Sequence, residues 1–272
     1  MSERDTYAHG VPCWVDTLQP DPEAATRFYG ELFGWDFTEP GTMPGDPAGR
    51  YFVARLRGSD VAGIASQPAE YSAPAPAWIT HVSVDSAPEA AEKTGRAGGR
   101  VVVGPVDAPP AGRLAVLADP AGALFCAWEP RIRRGAQRVN EPGAWAMSSL
   151  QTDDTEGAKA FYGAVFGWET DTFEMGGSEM TLWRVPGYVG GEPGQPVSRE
   201  VVGAMMPLDD DGAPRWSVNF WIDDADAAAD NAARLGGSVV VPPHDLPGFR
   251  EVVLADPQGA AFSLSQLKAG GA

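Results

Sequence analysis

The chain contains the same sequence pattern twice, and this duplication restricts its possible folds more than any other feature. Residues 11–35 read VPCWVDTLQPDPEAATRFYGELFGW, and residues 144–168 read AWAMSSLQTDDTEGAKAFYGAVFGW. LADPAGALF at 117–125 returns as LADPQGAAF at 254–262. Matches in one fixed order indicate that a structural unit has been duplicated. At 272 residues the chain is long enough for two such units, each with its own core.

Each half divides again into two units of one strand, one helix and three further strands. Residues 78–84 are rich in β-branched and aromatic side chains, as a strand requires. We expect Asp85 to cap the Ala-rich helix that follows, and Gly98 and Gly99 to end it. The equivalent residues in the second half are Asp223, Gly236 and Gly237.

The FYGELFGW and FYGAVFGW helices and the DPAGALF and DPQGAAF endings resemble those of the vicinal oxygen chelate superfamily, the glyoxalase/bleomycin-resistance/dioxygenase fold. The resemblance implies an α+β fold of tandem glyoxalase-like domains, in which four βαβββ modules form curved mixed sheets around ligand cups. The first domain is expected at 8–130 (modules 11–68 and 77–130), a linker at 131–143, and the second domain at 144–268 (modules 144–208 and 214–267). Which modules share a cup stays open.

Metal-dependent members of this superfamily hold a divalent cation with a His near the start of each first strand and a Glu on each last strand. Such ligands leave positions open for substrate. Aligned on the repeats, the ligand positions of this chain are Trp14, Ile79, Met147, Ser217, Cys126 and Ser263. None is a His or a Glu, and the chain has only three histidines. We therefore predict no metal cofactor; a single divalent ion at Asp16, His81 and Cys126 is the lesser alternative.

His81 and Asp16 are the predicted catalytic candidates. Each lies two residues beyond a ligand position, and because side chains alternate along a strand, each should face the same cup as that position. A carboxylate beside an imidazole fixes its tautomer and forms an acid/base pair. The alternative is that His81 is simply a hydrogen-bonded strand residue.

The equivalent positions in the second half are polar groups that do not titrate near neutral pH. We expect that half to form a binding or structural cup. The predicted ligand-binding residues of both cups are Trp14, Ile79, Cys126, Met147, Ser149, Ser217, Asn219 and Ser263. Most of the nine tryptophans fall on predicted strands, where some should face a cup and favour a flat apolar ligand.

Composition excludes several classes of protein. The net charge of −17 repels phosphate backbones and anionic lipids, so neither nucleic acid nor a membrane is an expected partner. The polar N-terminus and the two isolated cysteines favour a cytoplasmic protein. We expect a monomer or a homodimer.

Residues 40–50 and 186–196 are predicted loops near a cup mouth. The four arginines of the linker are expected to be solvated; they are Arg131, Arg133, Arg134 and Arg138.

Two functions compete at this stage. The first is a metal-independent binding protein that holds a flat hydrophobic or aromatic small molecule, as resistance members of the superfamily do. The second is a metal-free isomerase, dehydratase or cyclase of secondary metabolism that uses Asp16 and His81 as acid and base. A metal-dependent lyase or dioxygenase comes third, because the metal ligands are missing.

Overall fold

A computed structural model describes residues 3–43, 46–67, 76–175, 178–190, 199–208 and 212–268. The first half contains β1 (Pro12–Gln19), α1 (Pro22–Phe33), β2 (Asp36–Phe37), β3 (Gly41–Met43), β4 (Asp46–Leu56), β5 (Ser59–Ser66), β6 (Ala77–Ser83), α2 (Ala87–Arg96), β7 (Arg100–Ala108), β8 (Gly112–Ala118) and β9 (Leu124–Pro130). The second half contains β10 (Trp145–Thr152), α3 (Thr155–Phe166), β11 (Glu169–Met175), β12 (Ser178–Arg184), β13 (Val201–Pro207), β14 (Arg215–Trp221), α4 (Ala225–Arg234), β15 (Ser238–Leu246), β16 (Phe249–Ala255) and β17 (Ala261–Leu267).

Each half forms one mixed sheet, which confirms the predicted α+β fold. The first sheet runs β2-β4-β5-β1-β6-β9-β8-β7, with β3 paired to β4, and the second runs β11-β12-β13-β10-β14-β17-β16-β15. Antiparallel pairs β1–β6 and β10–β14 join the two modules of each half at the centre of its sheet. Modules one and two therefore share one cup, and modules three and four share the other.

Two local predictions need correction. The caps of α2 and α4 are Ser86 and Asp224, one residue after Asp85 and Asp223, because these side chains accept from the backbone N–H groups of the first helical turn. Within the predicted loop at 40–50, residues 41–43 and 46–50 are strand, since β3 and the start of β4 pair there, and residues 44 and 45 lie outside the described residues. In the predicted loop at 186–196, residues 191–196 lie outside the described residues.

The FYGxxFGW motif ends its helix and turns the chain back onto it. Gly34 and Gly167 adopt φ of +70° and +72°, the left-handed conformation that favours glycine at a helix end. The tryptophan that follows each of them crosses to the other half: Trp35 Nε1 donates to Gly143 O at 2.7 Å, and Trp168 Nε1 donates to Gly10 O at 2.6 Å. The motif is therefore part of the contact between the halves.

The helices lie between the two sheets and pack crosswise. On α1, Phe33 meets Phe220 of the second sheet with ring centroids 5.0 Å apart. On α3, Tyr162 meets Phe125 of the first sheet at 5.6 Å. α1 also packs beside α4, and α2 beside α3. The apolar side chains of α1 and α3 thus fill the core between the halves, and each cup is left on the other face of its sheet.

Two buried tyrosines connect the halves through the Asp-Pro turns. Tyr29 donates to Asp256 Oδ2 at 2.9 Å and accepts from Trp78 Nε1 at 3.0 Å. Tyr162 does the same with Asp119 Oδ2 at 3.0 Å and Trp216 Nε1 at 2.8 Å. We define these two networks as the tyrosine clasps. No helix in the described part of the chain is long and apolar enough to cross a membrane.

Tyr162→Phe should destabilise the protein by about 1–3 kcal/mol, because it leaves the buried Asp119 carboxyl and the Trp216 N–H without their shared partner. Urea unfolding measures this change. In a double-mutant cycle with Asp119→Asn, the two effects should not add, because the residues are in contact. Additive effects, or a loss below about 0.5 kcal/mol for Tyr162→Phe, would contradict the role of the clasp.

Candidate functional site

The first cup is a cavity of about 610 Å³ over the centre of the first sheet. In the β1–β6 ladder, Trp14 is paired with His81 and Asp16 with Ile79. Paired residues share one face of a sheet, so all four side chains lie on the cup face. Val15 and Thr80 point the opposite way, and Thr80 bonds to Ser148 of the second sheet at 2.7 Å. The alternation of β1 and β6 thus separates a ligand face from a core face.

A chain of polar contacts crosses the floor of the first cup. Trp14 Nε1 donates to the Tyr51 hydroxyl at 2.8 Å, and this hydroxyl donates to Asp16 Oδ2 at 3.0 Å. Asp16 Oδ1 lies 3.0 Å from His81 Nε2. His81 and Asp16 are only 5% and 6% exposed. The structure thus brings the two predicted candidates into contact and adds a third group, Tyr51.

Tyr51 was missed because no motif marks it. It lies on β4, and its side chain passes over β5 at Gly63 to reach β1. A Cβ atom at Gly63 would collide with the Tyr51 hydroxyl. In the sequence, the only signal is a Tyr in one strand and a Gly in the next. The sequence does not show which residues of these two strands are paired, so it does not connect the Tyr with the Gly.

The Asp16 carboxylate controls the charge of His81. Burial lowers the pKa of the imidazole, but Asp16 and, to a smaller extent, Cys126 raise it by more, so that the pKa lies well above the ordinary 6.5. Burial and the same carboxylate raise the pKa of Tyr51 well above 10.0. At neutral pH the floor of the cup therefore holds an imidazolium–carboxylate pair beside a protonated phenol.

The walls of the first cup are largely apolar and aromatic. Trp14, Trp128, Leu114 and Val53 line it, together with Met43 at the end of β3. These side chains offer flat faces of the kind that stack on aromatic ligands.

Two linker arginines depart from the sequence expectation. Only 15% of the Arg138 side chain is exposed, and it forms ion pairs. Arg133 lines the first cup, where its guanidinium lies 5.6 Å from the ring centre of Trp14 and its Nη1 lies 3.3 Å from Asp60. It was predicted to be solvated, but the linker folds back over the cup, with Ala136 N donating to Cys13 O.

Two predicted ligand-binding residues of the first half lie beside the cavity rather than on its surface. Ile79 and Cys126 are both buried, and neither lines the cup. Cys126 is next to His81 in the β6–β9 ladder. These two side chains lie beside Asp16 and His81 on the same face of the sheet but do not reach the cavity.

The donor set does not fit the metal of the superfamily. The aligned ligand positions hold Trp14 and Met147 at the two cup surfaces, where an imidazole would be required. Within the described ranges, no group of three or more His, Cys, Asp or Glu side chains is placed to hold an ion. His81 and Asp16 engage each other instead.

The second cup is a cavity of about 660 Å³ over the second sheet. All five predicted ligand-binding residues of this half line it, namely Met147, Ser149, Ser217, Asn219 and Ser263. Sequence alignment missed Glu251 and His244, which line the same cavity from β16 and β15. The expectation of a cup without titratable groups was therefore incomplete, because it considered only positions equivalent to those of the first cup.

Comparison with known proteins gives the same family throughout the chain. A family model described as a glyoxalase-like domain matches residues 14–128 and again residues 144–265. CFP32 of Mycobacterium bovis, which carries a glyoxylase name, is 38% identical over 267 residues, covering 97% of each chain. The anthracycline biosynthesis protein DnrV of Streptomyces peucetius is 34% identical over 279 residues, covering 97% of this chain and 96% of its own.

A solved structure shares the fold at low sequence identity. The Mn(II)-bound glyoxalase from Novosphingobium aromaticivorans superposes with a TM-score of 0.62 at 16% identity, covering 96% of this chain and 83% of its own. At this identity, the likeness concerns the arrangement of strands and helices alone.

Asp16→Asn should lower the pKa of His81 below 6.5, because it removes the carboxylate and leaves the effect of burial. NMR titration of the His81 ring protons measures this. In the wild type, the same signals should titrate well above 6.5. A wild-type midpoint at or below 6.5 would contradict the ion pair.

The same shift predicts how stability depends on pH. The pKa of His81 is higher in the folded chain than in the unfolded chain. The stabilisation that His81 gives the folded state is therefore complete below its unfolded pKa of 6.5 and is lost as the pH rises through its folded pKa. Urea unfolding of the wild type and His81→Gln, compared from pH 6 upward, should show the gap between them narrowing. A constant gap would mean that His81 does not titrate in this window.

Proposed function

The chain belongs to the glyoxalase-like family of the vicinal oxygen chelate superfamily, and from this we propose that its first cup binds a flat, largely apolar small molecule without a metal. One observation carries the proposal. The first cup combines aromatic walls with a buried Asp16–His81 pair, two residues along the strands from the positions where metal-dependent members of the superfamily hold their ligands.

Size and lining both suit a ligand with fused rings. A volume of about 610 Å³ is within the usual range for small-molecule sites of roughly 300–1,000 Å³. Trp14 and Trp128 lie on neighbouring parts of the sheet and present ring surfaces to the cavity. A flat ligand buries apolar area against them and stacks on their rings.

The polar floor supports binding more strongly than catalysis. Both imidazole nitrogens of His81 are closed to solvent, and no residue in the described part of the chain forms a well-aligned hydrogen bond to either. A ligand at the cup surface therefore contacts the imidazole ring of His81 but not its N–H groups. In this arrangement Asp16 and His81 hold Tyr51 and Trp14 in place, and these two side chains shape the binding surface.

The relatives support the same class of ligand. DnrV carries a name that refers to anthracycline biosynthesis, and a second relative, DauV of Streptomyces sp. strain C5, carries the same description. Anthracyclines contain fused flat rings, which match the aromatic walls of the first cup. We infer a polycyclic aromatic ligand or one of similar shape.

The probe for this proposal is 1,8-dihydroxyanthraquinone, titrated into the full-length protein. Saturable tryptophan quenching is expected, and the methyl NMR signal of Met43, which lines the first cup, should shift more than those of Met147, Met180 and Met206, which line the second. Leu114→Glu should weaken the complex at least about tenfold, because the carboxylate faces an apolar ligand.

Ile132→Glu is the matched control, because it adds the same charge at a side chain that is 72% exposed and outside the cavity. It should leave the affinity unchanged. Absence of saturable binding, or equal losses in both variants, would end the proposal.

A metal-free enzyme is the second candidate, and the 3.0 Å contact between Asp16 and His81 favours it. A charged His81 is able to donate a proton to a carbonyl oxygen once its ring turns toward the cavity, while the Asp16 carboxylate takes a proton from the adjacent carbon, and the reverse step returns both protons and regenerates the pair. The test is proton exchange next to the carbonyl of 1-tetralone in D₂O, followed by mass spectrometry. Exchange above the buffer rate that His81→Ala abolishes would favour this function; exchange at the buffer rate would contradict it.

A further inference from the structure

The second cup contains a row of chemically distinct side chains that crosses four strands. Trp221 on β14 is paired with Ser265 on β17, Ser265 with Glu251 on β16, and Glu251 with His244 on β15. Paired residues lie side by side on one face of the sheet. All four line the cavity, so an aromatic ring, a hydroxyl, a carboxyl and an imidazole follow one another across its surface.

The duplicate half shows that this row is not a general feature of the fold. The corresponding pairings in the first sheet join Ser83 to Trp128, Trp128 to Leu114, and Leu114 to Val106. The Glu251–His244 pair thus stands where the first cup has Leu114 and Val106. Each cup carries one carboxyl–imidazole pair, but on different strands, so the two cups offer different surfaces to a ligand.

The pair in the second cup is open to the cavity, unlike the pair in the first. The side chains of His244 and Glu251 are 41% and 25% exposed, against 6% and 8% for His81 and Asp16. A bound molecule is therefore able to touch both groups without displacing any part of the sheet.

The contacts of His244 indicate which of its two ring nitrogens carries the hydrogen and which faces Glu251. His244 Nδ1 lies 3.1 Å from the carbonyl oxygen of Pro242, and because a carbonyl only accepts, Nδ1 carries the hydrogen. In the neutral imidazole, His244 Nε2 therefore presents a lone pair, 3.9 Å from Glu251 Oε2. Two acceptors face each other across a gap too wide for a direct hydrogen bond.

The other carboxyl oxygen of Glu251, Oε1, is held in place by Asn219. Asn219 Nδ2 lies 3.3 Å from Glu251 Oε1, 2.7 Å from Ser263 Oγ and 2.9 Å from Ser265 Oγ, so its two N–H groups are shared among these three oxygens. This amide holds one carboxyl oxygen and leaves Oε2 turned toward His244. The acceptor pair is thus preorganised by groups on three strands.

We propose that the second cup binds a small molecule carrying a protonated amine, with the ammonium group between Glu251 Oε2 and His244 Nε2 and its apolar body against Trp221 and Phe249. An ammonium has several N–H donors and a positive charge, and so serves both acceptors at once. The rings of Trp221 and Phe249 lie 5.6 Å apart and supply an aromatic surface beside the charged group.

Charge at the Glu251–His244 pair supports a cationic ligand there; Arg4 and Arg215 also line the cavity, and Arg215 lies at the opposite end of β14 from Trp221. Burial raises the pKa of Glu251, with His244 in its protonated form and Ser263 lowering it in part, and a bound cation offsets this cost of burial. The chain as a whole carries a net charge of −17, which raises the local concentration of cations. This inference is independent of the function proposed for the first cup.

The test compares three probes of one shape in the full-length protein: 2-naphthylmethylamine, the neutral 2-naphthylmethanol and the anionic 2-naphthoate. By calorimetry the amine should bind at least about tenfold more tightly than the alcohol, and the naphthoate more weakly than either. The methyl NMR signals of Met147, Met180 and Met206 should saturate with the amine at a lower concentration than that of Met43 in the first cup.

Glu251→Gln should weaken the amine about tenfold or more and leave the alcohol within about twofold. Glu92→Gln on the surface of α2 removes the same charge far from the cavity and should leave both affinities unchanged. His244→Val, which copies Val106 of the first cup, is the second variant and should also weaken the amine selectively. Equal binding of amine and alcohol, or shifts confined to Met43, would overturn the proposal.

Discussion

The two tyrosine clasps are the interaction on which the rest of the structure depends. Each places a hydroxyl of one half between a buried carboxyl of the other half and an indole N–H, in a core where an unpaired polar group is costly. Because Tyr29 lies on α1 and Tyr162 lies on α3, the clasps hold these two helices between the sheets. The faces of the sheets that carry ligand residues are consequently turned away from the core, and each half keeps its own cup.

With the scaffold held in this way, the cups differ mainly in their side chains, and the first has an additional strand, β3, at its edge. Both contain an imidazole beside a carboxyl, yet Asp16 and His81 are buried at the centre of the first sheet, whereas Glu251 and His244 are open to the second cavity. The first pair therefore acts on its neighbours, keeping Tyr51 and Trp14 in position under an apolar surface. The second pair meets a ligand directly. A duplicated fold thus provides two chemically different surfaces on one backbone plan.

Prediction from sequence succeeded where a local rule was sufficient. Alternation along a strand placed Asp16 and His81 on the same face as Trp14, and the repeated motifs located the helices and the turns. It failed where the answer depends on strand register. Tyr51 reaches Asp16 only because Gly63 lies between them, and Glu251 faces His244 only because β15 and β16 pair with irregular register.

The sequence by itself determined the family, the four-module plan and the absence of the superfamily's metal ligands at the aligned positions, since these follow from residue identity and order. Tertiary structure decided which modules share a sheet, because pairing of β1 with β6 and of β10 with β14 involves contacts that no local pattern encodes. It also decided the burial of each titratable group. An imidazole is buried or open to a ligand according to which side chains of the adjacent strands pack against it. Only the folded chain brings those strands together.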